Sequence, residues 1–306
     1  MSEEKNSYLI TGISGFIGSM IAKKLLESSK TTELEIYGIV RNKEKCKDIF
    51  KGYECANITL IEMDICDTEK LRQLRGKIDY IIHCASITKS KEMMSNPVEV
   101  ADGIVLGTRN ILELAKYCEV KSMVYLSSME AYGVVDDTGK RRTEKELGSI
   151  DLTVPRSCYP MGKRMAEHYC HIYYSEYGIP VKIARLSQVF GKGVRANDTR
   201  VFMQFAKAVR TGEDIVLRTK GHSLGNYCST DDAVDGILTI LEKGEEGEIY
   251  NIVNEVNTMR IIDMAHLVAS QIAKDKIKVC VDLELLQKQV MHQIQGFACQ
   301  HKNCVQ

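Results

Sequence analysis

Residues 8–18 read YLITGISGFIG, a short apolar run followed by three glycines spaced three residues apart. The run before Gly12 has the length of a buried strand, and helical periodicity begins at Phe16. In such a turn one glycine permits the tight bend, a second lets the backbone approach a pyrophosphate, and a third lets the helix pack on the strand. Gly12, Gly15 and Gly18 stand in that order, so the stretch predicts a strand, a dinucleotide-binding turn and a helix.

The alternation of strand and helix continues over the first two-thirds of the chain. The predicted strands are Tyr8–Thr11, Glu35–Val40, Thr59–Glu62, Tyr80–His83, Met123–Ser127 and Val181–Arg185, and the predicted helices are Phe16–Ser28, Val98–Cys118 and Tyr159–Tyr177. Short apolar strands separated by helices are typical of a parallel sheet covered on both faces. We therefore predict an α/β protein with a Rossmann doubly wound parallel sheet.

After Gly191 the alternation becomes less regular. Here the sequence predicts helices over Val201–Arg210, Thr230–Leu241 and Met259–Ala273, and strands over Ile215–Leu217 and Ile249–Val253. We place the dinucleotide-binding Rossmann domain in residues 1–186 and a smaller C-terminal substrate-binding lobe in residues 187–306. Some segments of the second part are expected to return to the first domain.

Composition excludes several classes of protein. The 306 residues carry 41 basic and 41 acidic side chains, so no net positive field exists to attract a nucleic acid. No apolar run approaches the roughly 18 residues of a membrane span, and we expect a cytoplasmic protein with no membrane partner. The eleven cysteines include no CxxC pair, and the spacing of Cys299, His301 and Cys304 matches no zinc pattern, so no metal is expected.

A candidate catalytic group lies in the segment YPMGK. Tyr159 and Lys163 are four residues apart, which places both on one face of a helix, and Ser128 follows a predicted strand. To act as a base near pH 7, a tyrosine needs its pKa lowered by about 3 units. The Lys163 ammonium and an oxidised nicotinamide are the two cations expected to supply that shift. Ser128 would hold the substrate hydroxyl that Tyr159 deprotonates.

With these motifs the chain resembles the extended short-chain dehydrogenase/reductases, and among them the NAD-dependent epimerase/dehydratase family. The similarity covers roughly residues 6 to 255. The resemblance implies that Ser128, Tyr159 and Lys163 form a catalytic triad. It also implies a set of residues that contact NAD(P). These are Gly12, Ser14, Gly15, Phe16, Ile17, Gly18, Arg41, Asp64, Ile65, Ala85, Ser86, Tyr159 and Lys163.

The choice between NAD and NADP depends on the residue that closes the second predicted strand. A carboxylate there would bind the ribose hydroxyls, whereas a cation would accept a 2′-phosphate. The residue is Arg41, with Lys43 and Lys45 close behind, which slightly favours NADP. An arginine can also stack on adenine, so NAD stays open.

Glu130 narrows the reaction further. In SSMEAYG it follows Ser128 by two residues, as in nucleotide-sugar 4,6-dehydratases and UDP-glucuronate decarboxylases, and the run PRSCYPMGKR looks most like the decarboxylases. A glutamate here can move the C5 proton of a 4-keto sugar, or it can simply orient substrate. Dehydratases usually place an Asp beside it, whereas position 129 is Met, which cannot donate a proton. This favours 4-epimerisation over dehydration.

Three positions depart from the family pattern in the expected substrate region. Gln188 stands where the family usually has an Asn that touches the substrate, and a longer amide can make the same hydrogen bonds. Gly225 stands where an Arg usually contacts the pyrophosphate. Arg200, Arg218 or Lys220 are candidates to replace it, so we assign substrate binding to Gln188, Arg200 and Arg218. Ile104 replaces an Asn that supports the active-site backbone.

The combined prediction is an NAD(P)-dependent nucleotide-sugar epimerase/dehydratase that acts through a 4-keto intermediate, in nucleotide-sugar metabolism and polysaccharide biosynthesis. A decarboxylase and an NADPH-dependent 4-keto-sugar reductase are the alternatives within the same chemistry. A non-catalytic dinucleotide sensor or assembly protein is the alternative of another class, favoured by Ile104, Gly225 and a glutamine-rich tail over Leu283–Gln306. The family also implies a homodimer formed through the helices at Val98–Cys118 and Tyr159–Tyr177.

Overall fold

The structure is a computed structural model that describes residues 5–28, 34–53, 57–74, 76, 78–135 and 141–283. The described chain forms two compact units. The first runs to Gly193 and also takes in Cys228–Val253. The second consists of Val194–Tyr227 and the described residues from Asn254 onward. A segment late in the sequence therefore completes the first unit.

The strands of the described residues are short, and most follow an apolar run. They are β1 (Asn6–Thr11), β2 (Leu34–Val40), β3 (Ile58–Glu62), β4 (Tyr80–His83), β5 (Ser122–Ser128), β6 (Val181–Leu186), β7 (Gln188–Phe190), β8 (Ile215–Leu217), β9 (Leu224–Ser229), β10 (Ile249–Ile252), β11 (Thr258–Arg260) and β12 (Val279–Val281). Seven of them form a parallel sheet in the order β3-β2-β1-β4-β5-β6-β10. The order reverses between β1 and β4, which confirms the predicted Rossmann doubly wound sheet.

The helices follow the strands as crossover connections. They are α1 (Phe16–Ser28), α2 (Glu44–Lys47), α3 (Thr68–Arg72), α4 (Ser90–Ser95), α5 (Pro97–Cys118), α6 (Cys158–Tyr177), α7 (Val201–Thr211), α8 (Thr230–Lys243) and α9 (Ile261–Leu267). Short 3-10 turns occupy Met129–Tyr132 and Pro155–Ser157. Neighbouring strands of a parallel sheet run in the same direction, so each crossover returns the chain to the amino-terminal edge of the sheet. The carboxyl ends of the strands therefore meet at the opposite edge, where a site can form.

Both faces of the sheet are covered, which explains why its strands read as continuous apolar runs. Alternate residues of β1, β4 and β5 pack on opposite sides. Leu9, Ile81 and Tyr125 belong to a core that includes residues of α5 and α6. Ile10, Ile82 and Val124 belong to a second core that includes residues of α1 and α8. The site described below forms where these strands end.

The second unit has its own core around Phe205, Leu217 and Ala265. In it β8 pairs in parallel with β12, and β9 pairs antiparallel with β11. The predicted helix over Met259–Ala273 begins later than expected, at Ile261. The two residues before it, Met259 and Arg260, pair instead with β9, because partners distant in sequence override local helix propensity.

Candidate active site

The turn between β1 and α1 has backbone that requires glycine. Gly12 adopts φ +65°, in the left-handed region, and a Cβ added there would lie 2.8 Å from the Cα of Ala85. A Cβ at Gly18 would lie 2.6 Å from the Gly12 carbonyl oxygen, so a side chain would force the helix away from the turn. The Gly15 amide donates to the Gly12 carbonyl at 2.7 Å. The start of α1 therefore sits directly beyond the end of β1, beside the end of β4, as an anion site at a helix N-terminus requires.

Three other predicted cofactor residues lie along the same sheet edge. Arg41 is exposed after β2, and its Nη1 lies 3.5 Å from a carboxylate oxygen of Glu99 in α5. Asp64 is exposed after β3. Ile65 is turned into the core, where its side chain packs against Gly107. Arg41 and Asp64 thus offer polar groups to solvent at this edge, whereas Ile65 contributes packing.

The end of β4 is fixed by a chain of hydrogen bonds around a buried histidine. The Ala85 amide donates to the Thr11 hydroxyl at 3.1 Å, and that hydroxyl lies 2.6 Å from Nδ1 of His83. On the other side, Nε2 of His83 lies 3.1 Å from the Thr108 hydroxyl, which donates to the Ile104 carbonyl at 2.6 Å. These directions place the ring proton on Nε2. Burial lowers the pKa of His83 to about 3, so the ring is neutral at physiological pH.

The structure brings the three predicted catalytic residues together. Tyr159 and Lys163 project from the same face of α6, and the Lys163 ammonium lies 5.7 Å from the centre of the Tyr159 ring. That ammonium donates to the Leu126 carbonyl of β5 at 2.8 Å. Ser128 ends β5, and hydrogen bonding to its hydroxyl lowers the pKa of the Tyr159 phenol. A phenol, an ammonium and a hydroxyl therefore meet at the carboxyl end of the sheet.

The electrostatics of Tyr159 differ from the sequence-based expectation. Burial raises its pKa to about 12, and Glu130 adds to the rise, while hydrogen bonding and the Arg156 guanidinium oppose it. The predicted lowering by Lys163 is therefore not what the protein alone produces. Burial also lowers the pKa of Lys163 to about 8, and Glu167 is the largest influence in the other direction. Burial outweighs the protein's own cations at this phenol.

Sequence reasoning missed Arg156, although it lies within the quoted run PRSCY. It sits in the 3-10 turn before α6, and its Nη2 lies 3.0 and 2.8 Å from the two carboxylate oxygens of Glu130. Its guanidinium carbon is 6.0 Å from the centre of the Tyr159 ring. The spacing of three residues from Tyr159 is the signal that places both side chains on one face. The candidate site thus contains a cation beside the predicted Glu130.

A second unpredicted group is a buried ion pair behind Lys163. Glu167 follows Lys163 by one helical turn, and it binds Arg185 of β6 through two nitrogens at 2.9 and 2.7 Å. The Ser127 hydroxyl donates to the same carboxylate at 2.5 Å. An arginine inside the buried strand β6 is the signal that such a partner exists.

The predicted substrate residues are distributed over both units. Gln188 is half-buried in β7 of the first unit. Arg200 and Arg218 belong to the second unit, where Arg200 forms an ion pair with Asp198 at 2.7 Å. Gly225 lies in β9, and a side chain there would meet the Tyr227 hydroxyl at 2.8 Å. An arginine at that position would have to displace the tyrosine.

Ile104, which departs from the family pattern, is buried in α5. A Cβ added to Gly162 of α6 would come within 3.3 Å of it, so the two helices approach closely beside Lys163. The active-site backbone is here supported by packing and by the Thr108 hydroxyl that binds the Ile104 carbonyl. The glutamine-rich tail after Leu283 lies outside the described residues.

The residues at this edge fit a nicotinamide dinucleotide. The turn at Gly12 has no room for a side chain, so a ligand could approach its backbone closely, and the neighbouring strand β4 is followed by polar groups. The Ser86 hydroxyl is buried after β4 without a hydrogen-bond partner among the described residues, although it is close enough to influence the Tyr159 phenol. A buried hydroxyl in such a position is satisfied when a polar ligand fills the site.

The described residues contain neither a metal-binding cluster nor a helix that could span a membrane. No group of three or more His, Cys, Asp or Glu side chains in them is arranged to hold a metal ion. The Cys299, His301 and Cys304 cluster lies beyond that part of the chain. Among the same residues, no helix combines the length and apolar character needed to cross a bilayer.

The chain is similar to known proteins over most of its length. The profile of the NAD dependent epimerase/dehydratase family matches residues 8–253. The chain is 31% identical over 291 residues to the Methanocaldococcus jannaschii protein named "Uncharacterized protein MJ1055", covering 91% of this chain and 85% of that one. It is 30% identical over 275 residues to UDP-glucuronic acid decarboxylase 1 of Danio rerio, which covers 89% of this chain but 62% of the longer relative.

Among solved structures, the fold is similar to that of UDP-glucuronic acid 4-epimerase from Bacillus cereus, solved in complex with UDP-glucuronic acid and NAD. The TM-score is 0.73 at 22% identity, and the match covers 90% of this chain and 87% of that one. The family profile begins within β1 at residue 8 and ends just after β10 at residue 253, so it includes every residue gathered at the strand ends. The chain therefore belongs to the NAD dependent epimerase/dehydratase family.

Proposed function

We propose that this protein oxidises C4 of a nucleotide-diphosphate sugar and returns the 4-keto intermediate to an alcohol, most directly as the 4-epimer. The observation that supports the proposal is the meeting of Tyr159, Lys163 and Ser128 beside the glycine turn. Ser128 holds the C4 hydroxyl, and Tyr159 takes its proton as the alcohol becomes a ketone. A nicotinamide bound beside these residues would supply the hydride acceptor for C4 and the hydride donor for its return.

The cofactor would lie along the sheet edge from the Gly12 turn to Ser86. Its pyrophosphate would face the start of α1 near Gly15, and its adenosine would face Arg41 and Asp64. NADP remains slightly favoured by the cation at Arg41, but Glu99 competes for that cation. We propose the second unit, with Arg200 and Arg218, as the part that binds the nucleotide sugar.

Epimerisation makes the fewest demands on these residues. Rotation of the ketone and return of hydride to its other face need no second proton donor at C6. Dehydration needs an acid to assist the leaving hydroxyl, and Met129 has none. Glu130 is then free to orient the sugar through its pair with Arg156.

Decarboxylation of a uronic acid is the second candidate, and Arg156 favours it. Its guanidinium is partly exposed beside Glu130, so it can bind a carboxylate on C5 of the sugar. Once C4 is a ketone, the C5–C6 bond breaks, carbon dioxide leaves, and C5 takes up a proton. The Danio rerio relative is named for a reaction of this class.

We also propose that the protein forms a homodimer through α5 and α6. Both helices expose apolar side chains, among them Leu106 at 43% and Met165 at 38% exposure. In a symmetric dimer the same helices of a second copy would cover these side chains, because exposed apolar patches mark interaction surfaces. Sedimentation of the full chain tests the dimer, and L106E/M165E should shift it to monomer.

The proposed reaction is tested with a panel of UDP-, dTDP-, CDP- and GDP-sugars, including uronic acids, with NAD and NADP. Product mass and NMR distinguish the outcomes. Unchanged mass with inverted C4 indicates epimerisation, and loss of carbon dioxide or water indicates a lyase. Tyr159→Phe should abolish turnover, whereas Tyr169→Phe on the same helix should retain it.

Failure of every sugar to change, and of either cofactor to be reduced, would overturn the proposal. If either cofactor still bound the chain under those conditions, the result would favour the non-catalytic dinucleotide-binding alternative. Binding is measured independently by calorimetry, so the two results do not depend on each other.

A further inference from the structure

Glu167 is a buried carboxylate that the proposed reaction does not use. It lies one turn after Lys163 on the same face of α6, and its side chain is 6% exposed. Its Oε1 accepts the Ser127 hydroxyl at 2.5 Å and Nε of Arg185 at 2.9 Å, while Oε2 accepts Nη2 of Arg185 at 2.7 Å. These three hydrogen bonds, two of them from one guanidinium, satisfy the carboxylate in the interior.

The strand register explains why these three groups meet. Ser127 in β5 and Arg185 in β6 are directly opposite in the parallel pairing, and both side chains reach α6. One residue earlier in β5, the Leu126 carbonyl accepts the Lys163 ammonium. One residue later comes Ser128. The last three residues of β5 therefore bind the lysine, bind the carboxylate and offer the hydroxyl of the proposed reaction.

The other end of the guanidinium reaches the turn that carries Glu130. Nη1 of Arg185 donates to the Glu144 carbonyl at 2.7 Å, and the guanidinium carbon lies 4.8 Å from the centre of the Tyr132 ring. Tyr132 is the last residue of the Met129–Tyr132 turn. One ion pair thus connects α6, two strands and the turn.

We propose that Glu167 is a positioning residue of this site: its carboxylate fixes the end of β5 against α6 and is the counter-charge of the Lys163 ammonium. The inference rests on the proposed function, because it assigns Glu167 a task for that same phenol and ammonium. Lys163 is fully buried, which favours its neutral form. Loss of the nearby negative charge would make it release its proton at a lower pH.

Other groups that face Lys163 do not supply this charge. They are His83 at the end of β4, Cys84 directly after that strand, Tyr125 of β5, and Tyr159 and Cys170 of α6. Burial keeps the His83 ring neutral. Burial also raises the pKa of the Cys84 thiol to about 12 and that of the Cys170 thiol well above its usual value. The two tyrosines have raised pKa values for the same reason. Glu167 is the carboxylate among them.

The test compares three variants of the full chain. Glu167→Gln removes the charge, and E167Q/R185Q also removes the guanidinium that would otherwise be buried unpaired. Ser127→Ala removes a hydrogen bond but keeps the charge, so it is the matched control. Two readouts are followed against pH: kcat on the substrate found above, and the ¹³C resonance of Lys163 in protein labelled at lysine, assigned with Lys163→Met.

In Glu167→Gln the alkaline limb of kcat and the midpoint of the Lys163 titration should move down by about one pH unit, and in E167Q/R185Q, where a positive charge is lost as well, they should move down by less. In Ser127→Ala both should stay within a few tenths of a unit. Limbs and midpoints that do not move in the folded glutamine variants would overturn the proposal. Failure of both glutamine variants to fold would also overturn it, since Glu167 would then serve the fold alone. If no sugar is turned over, the proposed function fails, while the lysine resonance still tests the charge.

Discussion

Two glutamate–arginine pairs border α6, and they differ chiefly in burial. The side chains of Arg185 and Glu167 are 1% and 6% exposed, whereas those of Arg156 and Glu130 are 30% and 35% exposed. The buried carboxylate takes two guanidinium nitrogens and a hydroxyl. The half-exposed pair is joined through a single nitrogen. The first arrangement holds a fixed geometry, and the second can exchange its partner for a ligand at little cost.

Removal of one arginine from each pair should separate the two roles most clearly. Arg185→Met leaves the Glu167 charge buried and unpaired, and should lower the free energy of unfolding by about 3–5 kcal/mol. Arg156→Met should lower it by less than about 1 kcal/mol, because solvent screens the remaining carboxylate. Urea unfolding at pH 7 measures both. Equal losses in the two variants would show that burial does not distinguish the pairs.

His83 is a buried titratable group outside both pairs, and it predicts how the stability of the fold depends on pH. The pKa of His83 is about 3 in the folded chain and about 6.5 when unfolded, so only the unfolded chain takes up this proton between those values. Its contribution to stability is present above pH 6.5 and is lost as pH falls, by about 1.4 kcal/mol per pH unit.

The free energy of unfolding of His83→Gln should therefore fall less steeply with acidification. Between pH 6.5 and pH 4.5 its total decrease should be about 3 kcal/mol smaller than that of the wild type. The variant is compared by urea unfolding between pH 4.5 and pH 7.5. His168→Gln, at an exposed position of α6, should follow the wild type. An unchanged slope in His83→Gln would mean that His83 is protonated in the folded protein.

The half-exposed pair of Arg156 and Glu130 predicts that KM depends on whether the substrate carries a carboxylate. If Arg156 binds a sugar carboxylate, Arg156→Ala should raise KM for a nucleotide uronic acid by about 10- to 100-fold, the range of a hydrogen bond to a charged group. KM for the matching neutral sugar should change less than threefold. Similar changes for both sugars would make Arg156 a partner of Glu130 alone.

A third pair, Arg41 with Glu99, is more exposed still, at 62% and 61%. Here solvent screening should make the effects smallest. Arg41→Ala should weaken NADP binding by about fivefold and leave NAD binding unchanged, since only the 2′-phosphate needs the cation. Glu99→Ala should slightly strengthen NADP binding. Calorimetry with both cofactors measures this, and equal losses for NAD and NADP would indicate adenine stacking.

Much of the first unit could be predicted because its elements are long or fully buried. The bounds of β4 and α1 agree with the prediction, since Tyr80–His83 is mostly buried and Phe16–Ser28 follows a turn that only glycine fits. Two residues of the short strand β11, Met259 and Arg260, were predicted as helix, because the pairing of β11 with β9 depends on residues far away in the sequence. Propensity has little effect over three residues.

The site divides in the same way. Local spacing in the sequence was enough to place Tyr159 and Lys163 on one helix face, and the family resemblance added Ser128 to them. Local spacing says nothing of the pairing of Ser127 with Arg185, which depends on the register of β5 and β6. The raised pKa of Tyr159 in the protein alone was not predicted for a related reason: charge can be read from residue types, but the extent of burial cannot.

The helix that carries Tyr159 and Lys163 also carries Arg164, whose guanidinium donates to the carbonyls of Ala131, Tyr132 and Gly148. Tyr159 and Lys163 thus belong to a long helix, whereas Met129 and Glu130 belong to a short 3-10 turn that the helix binds through backbone carbonyls alone. Because Arg164 binds only backbone carbonyls, a substitution of Met129 or Glu130 leaves these hydrogen bonds in place, and only a change at Glu130 removes a charge that raises the pKa of Tyr159.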